Sequence, residues 1–290
     1  MLSAVLTALL GSQNQAIQKF AFTEIHMGVE FRLAFYATDR EQAEQAAAAA
    51  YARVEQLEQE MSDYRPSSEI RQIKPLQQTS VSKDLWIVLE QAQQVSEQTG
   101  GAFDVTAGPA VKLWRNARQT GRMPGPIELR QAVSHVGYRF LKLDPVNQSV
   151  TILKEGIGID LGGIAKGYAC DAALECLARA GFGRAIVQSG GDIAAGAAPP
   201  GSEGWPIQIP GESAPRALAQ CAVSTSGDSE QYVEIGGIRY SHIVDPRTGM
   251  GVTNRVTATV IADKGLQSDP LATAFCVMGK GGVTDIRTSR

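Results

Sequence analysis

GIGIDLGGIAKGYACDAALECLARAG, residues 156–181, joins the two kinds of pattern from which the rest of the chain is built. The lead-in GIGID alternates small and apolar residues as a strand does, and the pair Gly162 and Gly163 breaks that alternation. An alanine-rich run then reads as a helix with Lys166 in its first turn. Free amide N–H groups at a helix start, with a lysine beside them, accommodate a phosphate or a carboxylate. Many ordinary helices also begin after Gly-Gly, so the segment reads either as an anion site or as a plain strand-to-helix turn.

Outward from this stretch the two patterns separate. Downstream come short strand-like runs, IVQSGGDI, WPIQIP, CAVSTSG and RVTATVIAD, together with QYVEI and IRYSHIVDP joined by Gly236 and Gly237. Upstream, EFRLAFYA alternates Phe31, Leu33 and Phe35 against polar or small neighbours and predicts a half-buried strand. Thr38 or Asp39 then caps a helix running to about Met61, with Ala43, Ala47, Val54 and Leu57 on one face. A second helix is predicted over 82–99, and Pro126 opens a short third. FLKLD, the turn PVNQ and SVTILK predict a β-hairpin. The whole is an α+β pattern of mostly antiparallel strands with long helices packed on them, and no repeat or composition break divides it.

Charge narrows the function classes. Lys and Arg total 27 against 30 Asp and Glu, no basic cluster stands out, and a net charge of -3 argues against a nucleic-acid partner. Cys170, Cys176, Cys221 and Cys276 show no zinc spacing and read as small buried side chains. MLSAVLTALLGSQNQA is too short for a membrane span but has the length of a signal-peptide core, without a basic n-region. Residues 1–20 are therefore expected to be a leader and 21–290 one domain, with a periplasmic or cell-envelope location, peripheral association with the envelope, and a cytoplasmic location as the alternative.

Three glycine-rich stretches, DLGGIAKG (160–167), QSGGDI (188–193) and STSGD (224–228), each follow a strand-like run. Three in one domain suggest loops gathered round an extended phosphate-bearing ligand, although the common nucleotide fingerprints are absent. In SDPLATAF, Asp269 and Thr273 lie four apart and share a helix face with oxygen donors of the kind Mg²⁺ prefers. Asp before Pro270 equally reads as the N-cap and N1 of a helix, and the two readings can coexist. In SHIVDPRTG, His242 could accept a proton from a hydroxyl, or only fill its strand. GAFDVTAGP (101–109) reads as a loop entry with a buried Phe103 beside Asp104.

Together, MGVEFRL, MSDYRPSSEI, GGAFDVTAGP, DLGGIAKGYACD, SGGDI, AVSTSGD, YSHIVDPRTG and SDPLATAF resemble the ApbE family of FAD:protein FMN transferases, in the family's order over about residues 27–279. The resemblance implies a T-fold-like domain that binds FAD with Mg²⁺ and moves FMN onto a Ser or Thr hydroxyl of an acceptor flavoprotein, releasing AMP. A Mg²⁺-dependent FAD pyrophosphatase and a non-catalytic flavin-binding protein are the alternatives. It implies that Gly163, Asp269 and Thr273 hold the metal, and that Lys166 neutralises the pyrophosphate. It further implies that Met27, Tyr64, Ala102, Phe103, Asp104, Asp160 and Ile243 contact flavin or adenine. His242 is the candidate for activating the acceptor hydroxyl. Two departures stand out: Pro270 where the family often has a smaller residue, and an end soon after CVMG, where family members continue through another helix and strand.

Overall fold

The computed structural model describes residues 16–229 and 231–288. Strands β1 (Gln18–His26) and β2 (Val29–Ala37) pair antiparallel from Gln18↔Ala37 to His26↔Val29, leaving a two-residue turn at Met27 and Gly28. Both turn residues have positive φ, 50° and 76°, as a hairpin matched to strand twist requires. Of the expected leader, residues 1–15 lie outside the described residues, whereas Gln18 to Phe20 already belong to β1. Phe31, Leu33 and Phe35 on β2 are fully buried, so the period-2 reading names the core face.

Helix α1 (Arg40–Met61) starts at Asp39, whose carboxylate accepts the Gln42 amide at 2.8 Å. After α2 (Glu69–Gln72) and β3 (Gln78–Ser80), α3 (Lys83–Gln98) begins at Ser82, whose hydroxyl accepts the Leu85 amide at 3.2 Å. The next helix corrects the sequence reading. GPAVKLWRNARQT, whose first two residues end the loop entry expected over 101–109 and for which the sequence reading names no helix, is α4 (Gly108–Thr120), with Pro109 at its start and buried Ala110, Trp114 and Ala117 on one face. The helix opened by Pro126, α5 (Pro126–Ser134), is thus not the third. The expected hairpin is β4 (Leu141–Asp144) and β5 (Ser149–Ile152), which with β3 forms a small sheet in the order β3-β5-β4.

GIGID is a second correction. It forms no strand: Gly158 makes one bridge to Ala107, and the Asp160 amide donates to the Val105 carbonyl at 2.7 Å. Laced to the loop before α4, it leads into α6 (Ala165–Arg179). There follow β6 (Ala185–Ser189), β7 (Asp192–Ala195), β8 (Trp205–Ile207), β9 (Arg216–Leu218) and β10 (Cys221–Ser226). The glycine-paired hairpin is β11 (Tyr232–Ile235) and β12 (Ile238–Ser241), and β13 (Ala258–Ala262), α7 (Gly265–Val277) and β14 (Gly282–Asp285) complete the described chain.

A seven-stranded sheet in the order β1-β2-β6-β7-β10-β13-β14 organises these elements. Every pairing in it is antiparallel except β13 with β14. Helices α1, α6 and α7 cover one face, and the β8–β9 hairpin covers part of the other with Trp205, Ile207 and Leu218. Among the described residues no helix is long and apolar enough to cross a membrane. The α6–α7 crossing is unusually close: a Cβ on Gly167 or on Gly265 would collide with the other's backbone carbonyl. That approach brings the first turn of α6 against the helix that carries Asp269 and Thr273.

Candidate active site

Where the ends of β6, β7 and β10 meet the starts of α6 and α7, the fold leaves a cavity of about 1020 Å³. Met27, Tyr64, Ala102, Phe103, Asp104, Asp160, Gly163, Lys166, His242, Ile243, Asp269 and Thr273 all line it. Residues up to 246 positions apart in sequence, from 27 to 273, therefore face one space. The β1–β2 turn delivers Met27, whose amide donates to the Glu58 carboxylate at 2.8 Å. Tyr64 is 72% exposed, and the Arg115 guanidinium lies 4.4 Å from its ring centre, so the ring stands at the wall with a cation on one side.

Asp104 and Asp160 work mainly within the protein. Asp104 accepts the Thr106 amide at 2.8 Å, the Thr106 hydroxyl at 2.6 Å and the Tyr138 amide at 2.7 Å, and burial pushes its carboxyl up against those bonds. Its side chain thus ties the loop before α4 to the 137–138 segment. Asp160 accepts the Gly162 amide at 2.8 Å and Arg115 at 2.6 Å; burial raises its carboxyl while Arg115 opposes the rise.

The oxygen-rich end is built by the two glycine-crossed helices. Asp269, 3% exposed, accepts the Gly167 amide at 3.1 Å, and the Thr273 hydroxyl lies 3.3 Å from that of Ser226. A Cβ on Gly163 would stand 3.1 Å from the Thr273 hydroxyl and 3.3 Å from the Phe103 ring, so this backbone lies directly beside the helix. Asp269 does not cap α7. The helix begins four residues earlier, at Gly265, and Pro270 sits inside it, so the cap-and-N1 reading of Asp-Pro is wrong. Asp171 on α6 caps α7 instead, accepting the Gly265 amide at 2.9 Å and the Leu266 amide at 3.0 Å.

Lys166 does not stand free beside the glycine turn. Its ammonium lies 2.9 Å from Asp192, 3.6 Å from Asp269 and 3.2 Å from the Gly162 carbonyl. Burial opposes its charge, but the two carboxylates override this and hold its pKa above the usual lysine value. Asp269 is pushed up by burial and by Asp192, because two buried carboxylates share this one ammonium. Asp192 sits in the quoted SGGDI motif, yet sequence reasoning gave it no role. Arg115 and Arg118 were missed because α4 was missed; the Pro109 start and the Ala110, Trp114, Ala117 spacing would have found them.

His242 has a defined tautomer. Its Nδ1 lies 3.1 Å from the Gln231 carbonyl, which can only accept, so Nδ1 carries the hydrogen and Nε2 keeps its lone pair. Burial lowers the imidazole pKa, and Arg118 and Lys166 lower it further, against the Gln231 carbonyl and Asp228. A neutral base at neutral pH results. Elsewhere, His26, Glu55 and Glu58 bring three ligand-type atoms within 4.8 Å of one another. Arg65 bonds both glutamates, at 2.6 and 3.0 Å, and so meets their charge.

Comparison with known proteins shows the family. The chain is 32% identical over 244 residues to the FAD:protein FMN transferase of Vibrio cholerae serotype O1, covering 78% of this chain and 71% of that protein. It is 30% identical over 243 residues to that of Haemophilus influenzae, covering 78% and 70%. The crystal structure of the ApbE protein from Thermotoga maritima superposes with a TM-score of 0.81 at 30% identity, over 91% of this chain and 88% of that one. The flavin transferase ApbE from Vibrio cholerae does so with a TM-score of 0.80 at 27% identity, over 91% and 88%. The ApbE family profile spans residues 27–289, which takes in every element from β2 to β14 and every residue named at the cavity, so the chain belongs to the ApbE family of flavin transferases.

Proposed function

We propose that the protein transfers FMN from FAD to a Ser or Thr hydroxyl of an acceptor flavoprotein, with Mg²⁺, releasing AMP. The relatives' name, FAD:protein FMN transferase, supports the reaction class. The observation that carries it for this chain is His242: a neutral imidazole, fixed through Nδ1, in the same cavity as Lys166, Asp269 and Thr273.

The residues fit a hard divalent cation. Asp269 brings a buried carboxylate and Thr273 a hydroxyl one turn on, the Gly163 backbone lies beside Thr273, and Asp192 and Asp269 share the single ammonium of Lys166. Bound there, Mg²⁺ would supply neutralisation of phosphate charge.

His242 Nε2 takes the proton of the acceptor hydroxyl as that oxygen bonds to the FMN-side phosphorus. The bond from this phosphorus to the bridging oxygen breaks, and AMP leaves with that oxygen. Lys166, held by Asp192 and Asp269, keeps those two carboxylates together. Met27, Tyr64, Phe103 and Ile243 supply apolar and aromatic surface for the ring systems. A periplasmic or cell-envelope location belongs to the same proposal, rests on the apolar N-terminal run alone, and is checked by fractionating cells that express the full chain.

The test is incubation with FAD, Mg²⁺ and an acceptor protein, followed by intact mass of the acceptor. A gain of one FMN residue with stoichiometric AMP is expected. FMN and AMP released without labelled acceptor would show a pyrophosphatase instead, and FAD recovered intact would show a binding protein.

A further inference from the structure

The cations facing the cavity differ in what already holds them. Arg65 is bonded to Glu55 and Glu58, Arg115 to Asp63 and Asp160, and Lys166 to Asp192 and Asp269. Arg118, three residues beyond Arg115 on α4, lines the same cavity half-buried, and among the described residues no carboxylate pairs with it. Burial lowers its pKa, Arg115 adds to that, and only the Tyr64 hydroxyl works in the other direction. A cation placed beside another cation and partly out of water is unfavourable by itself, and an anion arriving there relieves both costs.

We propose that Arg118 is a specificity-determining residue whose guanidinium binds an anionic oxygen of the dinucleotide's pyrophosphate, a role that sequence reasoning gives to Lys166 alone. This rests on the FAD reading of the cavity. Position favours the pyrophosphate over a carboxylate of the acceptor protein. Arg118 and Lys166, two cations from different helices, α4 and α6, line the same cavity as His242, the group that takes the proton of the attacking hydroxyl. Lys166 already serves two carboxylates, whereas the planar fork of Arg118 is available to phosphate oxygens in a way a lysine ammonium cannot copy.

The experiment is calorimetric titration of the unsubstituted protein, Arg118→Ala and Arg118→Lys with FAD and with riboflavin, Mg²⁺ present, alongside melting temperatures. Loss of a charge-assisted bond predicts an FAD Kd raised about 10- to 100-fold in Arg118→Ala, less in Arg118→Lys, with riboflavin affinity within about twofold. Unchanged FAD affinity in a variant of normal melting temperature would overturn the proposal. If that variant also showed a raised KM for the acceptor, the residue would belong to an acceptor carboxylate. Equal weakening of FAD and riboflavin would overturn it too, as damage to the whole cavity. Failure of the unsubstituted protein to bind FAD would sink the flavin reading itself, which is a separate result.

Discussion

Helix α7 carries Asp269 and Thr273 but has no side-chain cap of its own, since its N-cap residue is Lys264 and its first turn holds no acid. Asp171 reaches across from α6 to accept the Gly265 and Leu266 amides. Asp171→Ala leaves both donors at the α6–α7 crossing without that partner. A lost cap is worth about 0.5–2 kcal/mol, and the lost attraction between a carboxylate and the helix N-terminus about 0.3–1 kcal/mol. Together they predict about 1–3 kcal/mol of lost stability, and at about 2–4 °C per kcal/mol a central fall of roughly 4–8 °C in Tm. The pH dependence supplies a second readout. Burial pushes the Asp171 carboxyl up to about 6 from an ordinary 3.8. The unfolded chain therefore loses this proton first as pH rises, and the group's contribution to stability falls between about pH 4 and 6 and is level above. Asp171→Asn cannot titrate, so the stability of the unsubstituted protein relative to it should decline across that window. Thermal unfolding from pH 4 to 8 measures both. An unchanged Tm in Asp171→Ala, or a difference from Asp171→Asn that does not move with pH, would refute the capping account.

His242→Ala should bind FAD nearly normally yet label acceptor about 10²–10⁴-fold more slowly. In the unsubstituted protein the acid limb of kcat/KM should fall below the ordinary histidine value of 6.5, because burial favours the neutral ring; a limb well above it would contradict the assignment. Asp269→Asn keeps the shape but not the charge, and should raise the Mg²⁺ concentration for half-maximal FAD turnover by at least about tenfold. Normal turnover at limiting Mg²⁺ would remove Asp269 from the metal. Gly167→Ala gains about 1 kcal/mol of helix propensity, but its Cβ meets the Gly265 carbonyl and the Asp269 Cβ. Overpacking of about 1–3 kcal/mol against backbone that cannot turn aside should leave a lower Tm, and an unchanged or higher Tm would show that the crossing is looser than described.

Elements whose signals are local could be read directly. The α1 and α3 caps at Asp39 and Ser82, the β4–β5 hairpin and the paired glycines between β11 and β12 all depend on residues within a few positions of each other. GIGID misled because its alternation reflects lateral ties to Ala107 and Val105, about fifty residues away, and not a strand partner. Asp-Pro misled because the true cap of α7 comes from Asp171, on another helix. At the cavity, motif resemblance named residues that share one space, but not what each side chain holds. That Asp104 turns its carboxylate inward to Thr106 and Tyr138 is a matter of contacts no spacing encodes.

For Lys166 the same gap between spacing and contact changes the electrostatics of the cavity. Read in sequence, it is a cation at a helix start waiting for an anion; in the fold it lies between two buried carboxylates, so its charge is met before any ligand arrives. Among the described residues the cavity wall carries six carboxylates, from Glu58 to Asp269, against four guanidinium or ammonium groups. A wall with that excess repels a pyrophosphate unless added cations intervene, and like charges held in low dielectric repel strongly. A divalent ion at Asp269 and Thr273, as proposed, would answer part of this. On the proposal above, the guanidinium of Arg118, with which no carboxylate pairs among the described residues, would answer another part from α4, and the dinucleotide's phosphates, more than either ring system, should then sense a change there.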